Sequence, residues 1–241
     1  MSLSAVIFDY FGTLTVSASA DARRSGVTRV AGALGVPADV LFDTISSTFT
    51  ERATGSCGDM VATMAWLADR CGYRPSASQL EAACRERMEV ERGYASMVRD
   101  DTVTTLGFLR RRGLRVGVVS DCTHELPEFW ETLPVAPLVD ATVFSVLVGR
   151  RKPDVSLYRA ACRQLGVEAS GAIYVGDGGS NELTGAQAAG IRAIRLVTQD
   201  AAEALVYDAE PDWAGPVIGS LTELTAGAGL DPGKVDWWLH D

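Results

Sequence analysis

The 241-residue chain lacks the features that mark secreted, membrane-spanning and nucleic-acid-binding proteins. Its five cysteines are odd in number and form no C-x-x-C pair, which argues against a disulfide framework or a zinc site. The N-terminal residues lack a basic stretch followed by a long apolar run, so no signal peptide is predicted. No apolar run reaches the length of a membrane span. These absences predict a cytoplasmic protein with reduced thiols.

Basic charge is also scarce. The chain has 22 Lys and Arg against 31 Asp and Glu, a net charge of -9 at pH 7. General electrostatic binding to nucleic acid or to a membrane surface is therefore not expected. An anionic small-molecule substrate would have to be met by local positive charge or by a metal ion. The length fits one mid-sized domain, or a core with an inserted subdomain.

The most informative segment lies near the N-terminus, where an apolar run ends in a carboxylate. Val6, Ile7 and Phe8 show no polar alternation, which is typical of a fully buried parallel strand. Asp9 follows at the point where this strand would leave the sheet. Ligands of parallel sheets bind at the carboxyl ends of the strands. Asp9 is thus placed to act as a nucleophile or metal ligand, the alternative being a turn cap.

Three further segments carry chemically active side chains in a defined order. They are Ser120 and Asp121 after the run 114–119, Lys152 before a helical pattern, and Asp177 with Glu182 after the run 172–176. Together with the first segment, the order is carboxylate, hydroxyl, lysine, carboxylate. This set resembles the four motifs of the haloacid dehalogenase-like (HAD) hydrolase superfamily, and the resemblance covers the core from end to end.

The pattern between the first and second motifs is helical. Amphipathic spacing predicts helices around 27–34, 40–49, 61–68 and 80–92, the last with its charges on a solvated face. From about residue 100, strand and helix patterns alternate, which favours a parallel sheet covered by helices. We therefore predict an α/β fold with a doubly wound, Rossmann-like core of residues 1–16 and 98–241. Residues 17–97 would form an all-helical cap inserted after the first strand, as in the helical-cap members of the family.

The resemblance implies covalent catalysis by the motif residues. Asp9 would be the nucleophile that forms an ester with the substrate. Ser120 would hydrogen-bond the transferring oxyanion, and Lys152 would pair with Asp9 and with the charge of the substrate. Asp121, where many relatives have Asn, and Arg52, between predicted cap helices, complete the predicted substrate contacts, the alternative for Arg52 being a solvent-facing side chain.

The resemblance also implies a Mg2+ site. Asp9, the main-chain carbonyl of Phe11 and Asp177 would supply three oxygen ligands, with substrate and water completing an octahedron. Glu182 stands where the family usually has Asp, and its longer side chain could still reach a metal-bound water. The alternative for Asp177 is a turn acid or a helix N-cap.

Phe11 is the main departure from the family pattern. Most family phosphatases have a second Asp there, which protonates the leaving oxygen and later activates water, whereas Phe cannot transfer a proton. An aromatic residue at this position resembles the 2-haloacid dehalogenases, whose halide leaves without protonation. The metal-free dehalogenases generally lack the Gly-Asp pattern seen at 176–177. His124 is a candidate replacement acid/base, the alternative being a surface or cap contact.

Three interpretations remain open at this stage. The favoured one is a magnesium-dependent phosphatase of a small phosphorylated metabolite, acting through an aspartyl-phosphate as a monomer or homodimer. The second is a carbon–halogen hydrolase similar to the 2-haloacid dehalogenases. The third is a non-catalytic protein that keeps the phosphate pocket. Trp237 and Trp238, near the C-terminus, are expected to dock on the core, the alternative being a partner subunit.

Overall fold

The computed structural model describes residues 3–200 and 207–225, which are built around a six-stranded sheet. All paired strands are parallel, in the order β3-β2-β1-β4-β5-β6. The strands are β1 (Ala5–Phe8), β2 (Arg115–Ser120), β3 (Ala141–Phe144), β4 (Ala172–Gly176), β5 (Arg192–Leu196) and β6 (Val217–Ile218). The N-terminal motif therefore lies at the centre of the sheet. Trp237 and Trp238 lie outside the described residues, so their docking stays a prediction.

The α-helices of the described residues fall before β2 and between the later strands. They are α1 (Ala20–Leu34), α2 (Ala38–Ser47), α3 (Phe49–Ala53), α4 (Met60–Arg70), α5 (Ala77–Ala95), α6 (Thr102–Arg111), α7 (Glu125–Phe129), α8 (Ser145–Val148), α9 (Val155–Leu165) and α10 (Glu182–Ala188). The short helices α7 and α8 were not predicted. Within the described part of the chain, no helix has the length and apolarity needed to cross a bilayer. All five cysteines are free thiols.

Helices cover both faces of the sheet. Side chains alternate along a strand, so Val6 and Phe8 enter one apolar cluster with α6 and α7, while Ala5 and Ile7 enter the other with α9 and α10. All four side chains of β1 are fully buried, which explains why its sequence shows no polar alternation. This doubly wound arrangement confirms the predicted α/β fold class.

Helices α1 to α5 follow β1 and form a layer with an apolar cluster of their own. Its buried members include Val30, Leu34, Leu41, Met64 and Leu67. The two connections to the sheet run antiparallel, with the Val16 amide donating to the Met97 carbonyl (2.7 Å) and the Arg99 amide to the Leu14 carbonyl (3.1 Å). Helices α1 to α5 thus lie between β1 and β2 in the chain, and their assignment to a separate cap domain stays a prediction. The proposed domain boundaries at 16/17 and 97/98 stay predictions.

The helix expected over 40–49 is wrong at its end. Helix α2 ends at Ser47, and α3 begins at Phe49. The hydroxyls of Ser46, Ser47 and Thr48 each donate to the carbonyl four residues earlier, a competing bond that bends and weakens helices. The break matters because Phe49 and Arg52 of α3 both line the main cavity.

Candidate active site

Asp9 and Asp177 follow neighbouring strands at the carboxyl edge of the sheet. Phe8 of β1 lies opposite Val175 of β4, and the Asp9 amide extends this ladder by donating to the Val175 carbonyl (2.9 Å). Glu182 begins α10, a short turn after β4. Ligand oxygens of Asp9, Asp177 and Glu182 lie within 4.8 Å of one another. The fold therefore brings together the acids of the first and fourth motifs.

Lys152 inserts its ammonium group into this set of acids. Its Nζ donates to Asp9 Oδ1 and to Glu182 Oε2, each at 2.5 Å. The Tyr174 hydroxyl also donates to Glu182 Oε2, at 2.7 Å. Lys152 is only 4% exposed and Glu182 is fully buried, so water does not screen these charges. Tyr174 was missed by sequence analysis because it reads as one more apolar strand residue.

Two glycines allow the acids to approach so closely. A Cβ at Gly176 would collide with the Glu182 carboxylate, and a Cβ at Gly12 would collide with Asp177 Oδ2. Gly12 also has φ +79, a conformation that side-chain-bearing residues rarely adopt. Glycine is thus required at both positions, because any larger residue would collide with the carboxylate of Asp177 or of Glu182.

The site brings three carboxylates and one ammonium group together away from solvent, which shifts their pKa values. Burial, with Glu182 and Asp177, raises the pKa of Asp9 well above its usual value although Lys152 opposes the shift. Burial and then Glu182 raise the pKa of Asp177 to about 6. Burial lowers the pKa of Lys152, but Asp9 and Glu182 outweigh it and the net shift is strongly upward. A clustered, all-oxygen donor set with excess negative charge fits a hard divalent cation such as Mg2+.

Ser120 and Asp121, the residues of the second motif, lie beside this cluster but differ in their hydrogen bonds. Ser120 is 1% exposed, and its Oγ has no hydrogen-bond partner among the described residues. Asp121 Oδ1 accepts from the Lys152 main-chain amide (2.9 Å), and Oδ2 accepts from Arg151 Nε (3.2 Å). Asp121 therefore holds in place the segment that carries Lys152. The substrate contacts predicted for Ser120 and Asp121 stay predictions.

A cavity of about 260 Å³ separates these acids from the helical segment. Asp9, Lys152 and Asp177 line one side, and α2, α3 and α5 contribute the other. Much of the helical side is apolar, with Phe42, Ile45, Phe49 and Val90. A mostly apolar cleft with a few convergent polar groups is the usual form of a small-molecule site.

Arg52 reaches the cavity from α3 and is 4% exposed. Its Nη2 donates to the Ile45 carbonyl (2.7 Å), while its Nε has no hydrogen-bond partner in the described parts of the chain. Burial and then neighbouring Arg87 lower the pKa of Arg52 to about 10. Among the residues described, Arg52 forms no ion pair, so it is a buried cation without a carboxylate partner.

Most charged residues of α5, such as Glu81 and Glu89, lie on a solvated face as predicted, but Arg87 and Glu91 point into the protein. Arg87 is 9% exposed, and it forms ion pairs with Glu125 at 2.7 Å and with Glu91 at 2.9 Å. The spacing of four between Arg87 and Glu91 was a usable signal, because such residues share a helix face. Glu125 belongs to the unpredicted α7, so its part in burying these charges was not visible in the sequence.

Phe11 and Tyr10 lie in the turn after Asp9, whereas His124 lies apart from the cavity. Phe11 lines the cavity, with its ring edge-on to Tyr10 at a centroid distance of 5.2 Å. Tyr10 is fully buried, and its hydroxyl donates to the Ala95 carbonyl (2.7 Å), which ties the end of β1 to the end of α5. His124 does not line this cavity; its Nε2 lies 2.6 Å from the Gly58 carbonyl of the helical segment.

Comparison with known proteins agrees with this geometry. A sequence model described as haloacid dehalogenase-like hydrolase matches residues 3–190. Validoxylamine A 7'-phosphate phosphatase of Streptomyces hygroscopicus subsp. limoneus is 31% identical over 220 residues, which cover 90% of this chain and 94% of that protein. Haloacid dehalogenase-like hydrolase domain-containing protein 3 of Mus musculus is 31% identical over 120 residues. That match spans 50% of this chain and 47% of the mouse protein.

Among solved structures, 2-haloacid dehalogenase from Pseudomonas syringae pv. Tomato DC3000 matches with a TM-score of 0.65. The match covers 92% of this chain and 96% of that one. At 23% identity, this likeness concerns the fold alone.

Proposed function

Because the chain belongs to the haloacid dehalogenase-like hydrolase family, we propose that it is a magnesium-dependent phosphatase of a small phosphorylated metabolite. The observation that carries this proposal is the cluster of three acids, Asp9, Asp177 and Glu182, beside a single ammonium group, that of Lys152. The ammonium group offsets only part of the negative charge of the cluster. A metal-free carbon–halogen hydrolase has no need for such an excess of buried acid. The similarity to a named phosphatase over nine-tenths of the chain supports the same reaction class.

In the proposed reaction, a carboxylate oxygen of Asp9 attacks phosphorus while the bond to the leaving oxygen breaks, giving an aspartyl-phosphate and an oxyanion that takes its proton from solvent. Water then attacks phosphorus as the bond from phosphorus to Asp9 breaks, which gives inorganic phosphate, carrying the protons of the water, and the free Asp9 carboxylate. Lys152, which contacts Asp9, orients the nucleophile and offsets negative charge on the phosphoryl group. The unpartnered Ser120 hydroxyl would donate to a phosphoryl oxygen.

The proposed Mg2+ ligands are Asp9, the Phe11 carbonyl and Asp177, with Glu182 next to them. Bound there, Mg2+ would supply positive charge to the transferring phosphoryl group. Glu182 differs from the others because both its oxygens already accept hydrogen bonds, from Lys152 and Tyr174 on one side and from the Gly178 amide (2.9 Å) on the other. Its part is therefore to hold Lys152 as well as to add charge.

Arg52 favours substrates that carry a second anionic group. A buried guanidinium without a carboxylate partner is costly, and an anion arriving with the substrate would offset that cost. Glycerate 3-phosphate and glycerol 3-phosphate form a matched pair that differs in one carboxylate. We expect the parent to prefer the former about tenfold in kcat/KM, and Arg52→Met to abolish the preference. Equal loss of both activities would contradict this specificity role.

A metal-dependent screen of phosphate esters and 2-haloacids tests the reaction class. We expect Mg2+-dependent phosphate release from an activated aryl phosphate and no halide release. By isothermal titration, Asp177→Asn should bind Mg2+ at least about tenfold more weakly than the parent. Unchanged Mg2+ affinity in a folded Asp177→Asn variant would show that the metal assignment is wrong.

A second candidate function rests on Phe11. Its ring lines the cavity where a proton-transferring acid would be needed for a poor leaving group, and a halide leaves without protonation. Metal-independent halide release in the same screen would favour this alternative. Tight phosphate binding without turnover of any ester would instead favour a non-catalytic binding protein. The cytoplasmic location and the monomeric or homodimeric state stay predictions, the former supported by the five free thiols.

A further inference from the structure

An ion pair between Arg99 and Asp200 lies behind the loop that follows Asp9. Arg99 Nη1 donates to Asp200 Oδ1 at 2.7 Å, and Nη2 donates to Oδ2 at 3.0 Å. The two side chains are 10% and 20% exposed, respectively. A two-pronged guanidinium–carboxylate pair in such partial burial is among the stronger and more directional polar contacts in proteins.

The same guanidinium group also holds the main chain of the nucleophile loop. Arg99 Nη2 donates to the Gly12 carbonyl (2.7 Å), and Nε donates to the Thr13 carbonyl (2.9 Å). Gly12 is the residue packed so closely against Asp177 that a Cβ would collide with Oδ2. The position of Arg99 therefore sets how closely the loop after Asp9 approaches Asp177.

Asp200 extends this contact to both connections of the helical segment. Its Oδ2 accepts from the Ser17 amide (2.8 Å) on the outgoing connection, while Arg99 belongs to the returning one. The Thr198 hydroxyl donates to Oδ1 (2.7 Å). Although burial acts the other way, these hydrogen bonds, led by that of Arg99, hold the pKa of Asp200 well below its usual range. Asp200 is therefore ionised throughout the neutral range.

We propose that Arg99 and Asp200 are positioning residues for the metal-binding acids. The pair holds the Gly12 turn between Asp9 and Asp177, and it makes the spacing of the two acids depend on where the helical segment sits. Arg99 and Asp200 do not line the substrate cavity, so they act through Gly12 rather than by contact with substrate. This inference rests on the proposed function, because it concerns the same Mg2+ site.

The test is direct Mg2+ binding by isothermal titration, which does not depend on turnover. We expect Arg99→Met to weaken Mg2+ binding about tenfold or more, and Asp200→Asn by a smaller factor. Arg99→Lys should recover part of the loss, since it keeps the charge but not the two-pronged geometry. With substrate saturating, the lost activity should return at high Mg2+ concentration, because the defect is in metal affinity.

Arg110→Met is the control, because Arg110 also pairs with an aspartate, Asp140 (2.9 Å), through one contact at a more exposed place, and neither residue lines the cavity. It should leave the Mg2+ dissociation constant within about twofold of the parent. If Arg99→Met does not fold, the Mg2+ dissociation constants of the milder variants Arg99→Lys and Asp200→Asn provide the test. Folded variants that bind Mg2+ as tightly as the parent would overturn the inference alone. A parent protein that binds no Mg2+ would overturn the proposed function together with it.

Discussion

Two buried groups of charges face each other across the cavity, and they balance differently. The sheet-side cluster consists of Asp9, Lys152, Asp177 and Glu182, three acids and one base. The helix-side cluster consists of Arg52, Arg87, Glu91 and Glu125, two acids and two bases. The first has excess negative charge, while the second is neutral as a whole.

The difference in net charge indicates which of the two clusters would bind a ligand ion. The sheet-side cluster keeps an excess of negative charge beside Lys152, and a bound cation would offset it. In the helix-side cluster, Arg87 is shared by Glu91 and Glu125, which joins α5 to α7 without any ligand. Among the described residues, Arg52 is the member of this cluster that forms no ion pair, although its Nη2 donates to the Ile45 carbonyl. We infer that the sheet side performs the chemistry and that the helix side selects the substrate.

Replacing the nucleophile should have the largest effect. Asp9→Asn is expected to lower kcat by more than about 1,000-fold, because an amide is a far poorer nucleophile than a carboxylate. The fold should survive, since Lys152 keeps Glu182 as its partner and the cluster loses a surplus charge. Steady-state rates with an activated aryl phosphate and with 2-chloropropionate, after a check by circular dichroism, measure the change. A folded variant that retains its rate would exclude covalent catalysis by Asp9.

Breaking the balanced cluster should affect stability rather than chemistry. Arg87→Met leaves Glu91 and Glu125 buried without their shared partner, which should cost about 3–5 kcal/mol in the free energy of unfolding. Urea denaturation measures this cost. Arg29→Met is the matched control, because Arg29 also pairs with two glutamates on α5 but at an exposed site, where little change is expected. Equal effects of the two substitutions would mean that the helix-side cluster is not stabilising.

Adding a fourth acid to the sheet-side cluster should affect substrates differently according to how much their leaving group needs a proton. Phe11→Asp should raise the rate with alkyl phosphates more than with activated aryl phosphates, because only alkoxide leaving groups need a proton. The ring is partly buried, so the substitution should also cost about 1–3 kcal/mol of stability. Rates are compared only for a folded, Mg2+-binding variant. Equal rate changes with both ester classes would point to another proton source or to a different reaction.

The smallest expected effect is on the pH dependence of stability without metal. The pKa of Asp177 is raised from an ordinary 3.8 to about 6, so the folded protein binds more protons than the unfolded chain in that interval. The free energy of unfolding should therefore fall as the pH rises from about 4 to 6. Denaturation in EDTA at several pH values measures the slope. Asp177→Asn should reduce the slope of the free energy of unfolding against pH. An unchanged slope in this variant would mean that another group causes the pH dependence.

Local sequence was enough to predict that several candidate site residues lie where strands end, while their roles stay predictions. Asp9, Ser120 and Asp177 stand at the ends of apolar runs, and parallel strands bring their carboxyl ends to one edge of a sheet. The α/β fold class follows from the same alternation of strands and helices. Lys152 was recognised by resemblance, since its position before a helix carries no such geometric signal.

What the sequence determined by itself is the fold class and the edge of the sheet where Asp9 and Asp177 lie, because short-range periodicity encodes which faces are buried and where strands end. Tertiary structure alone decided the helix-side cluster, the unpaired Arg52 and the contact of Arg99 with Gly12. The cluster and the Arg99 contact join residues far apart in the chain, such as Arg87 with Glu125 and Arg99 with Gly12, and the lack of an ion pair at Arg52 likewise depends on what packs around it. Whether a charge is solvated or buried depends on what packs against it, and that is settled only when α5, α7 and the sheet meet.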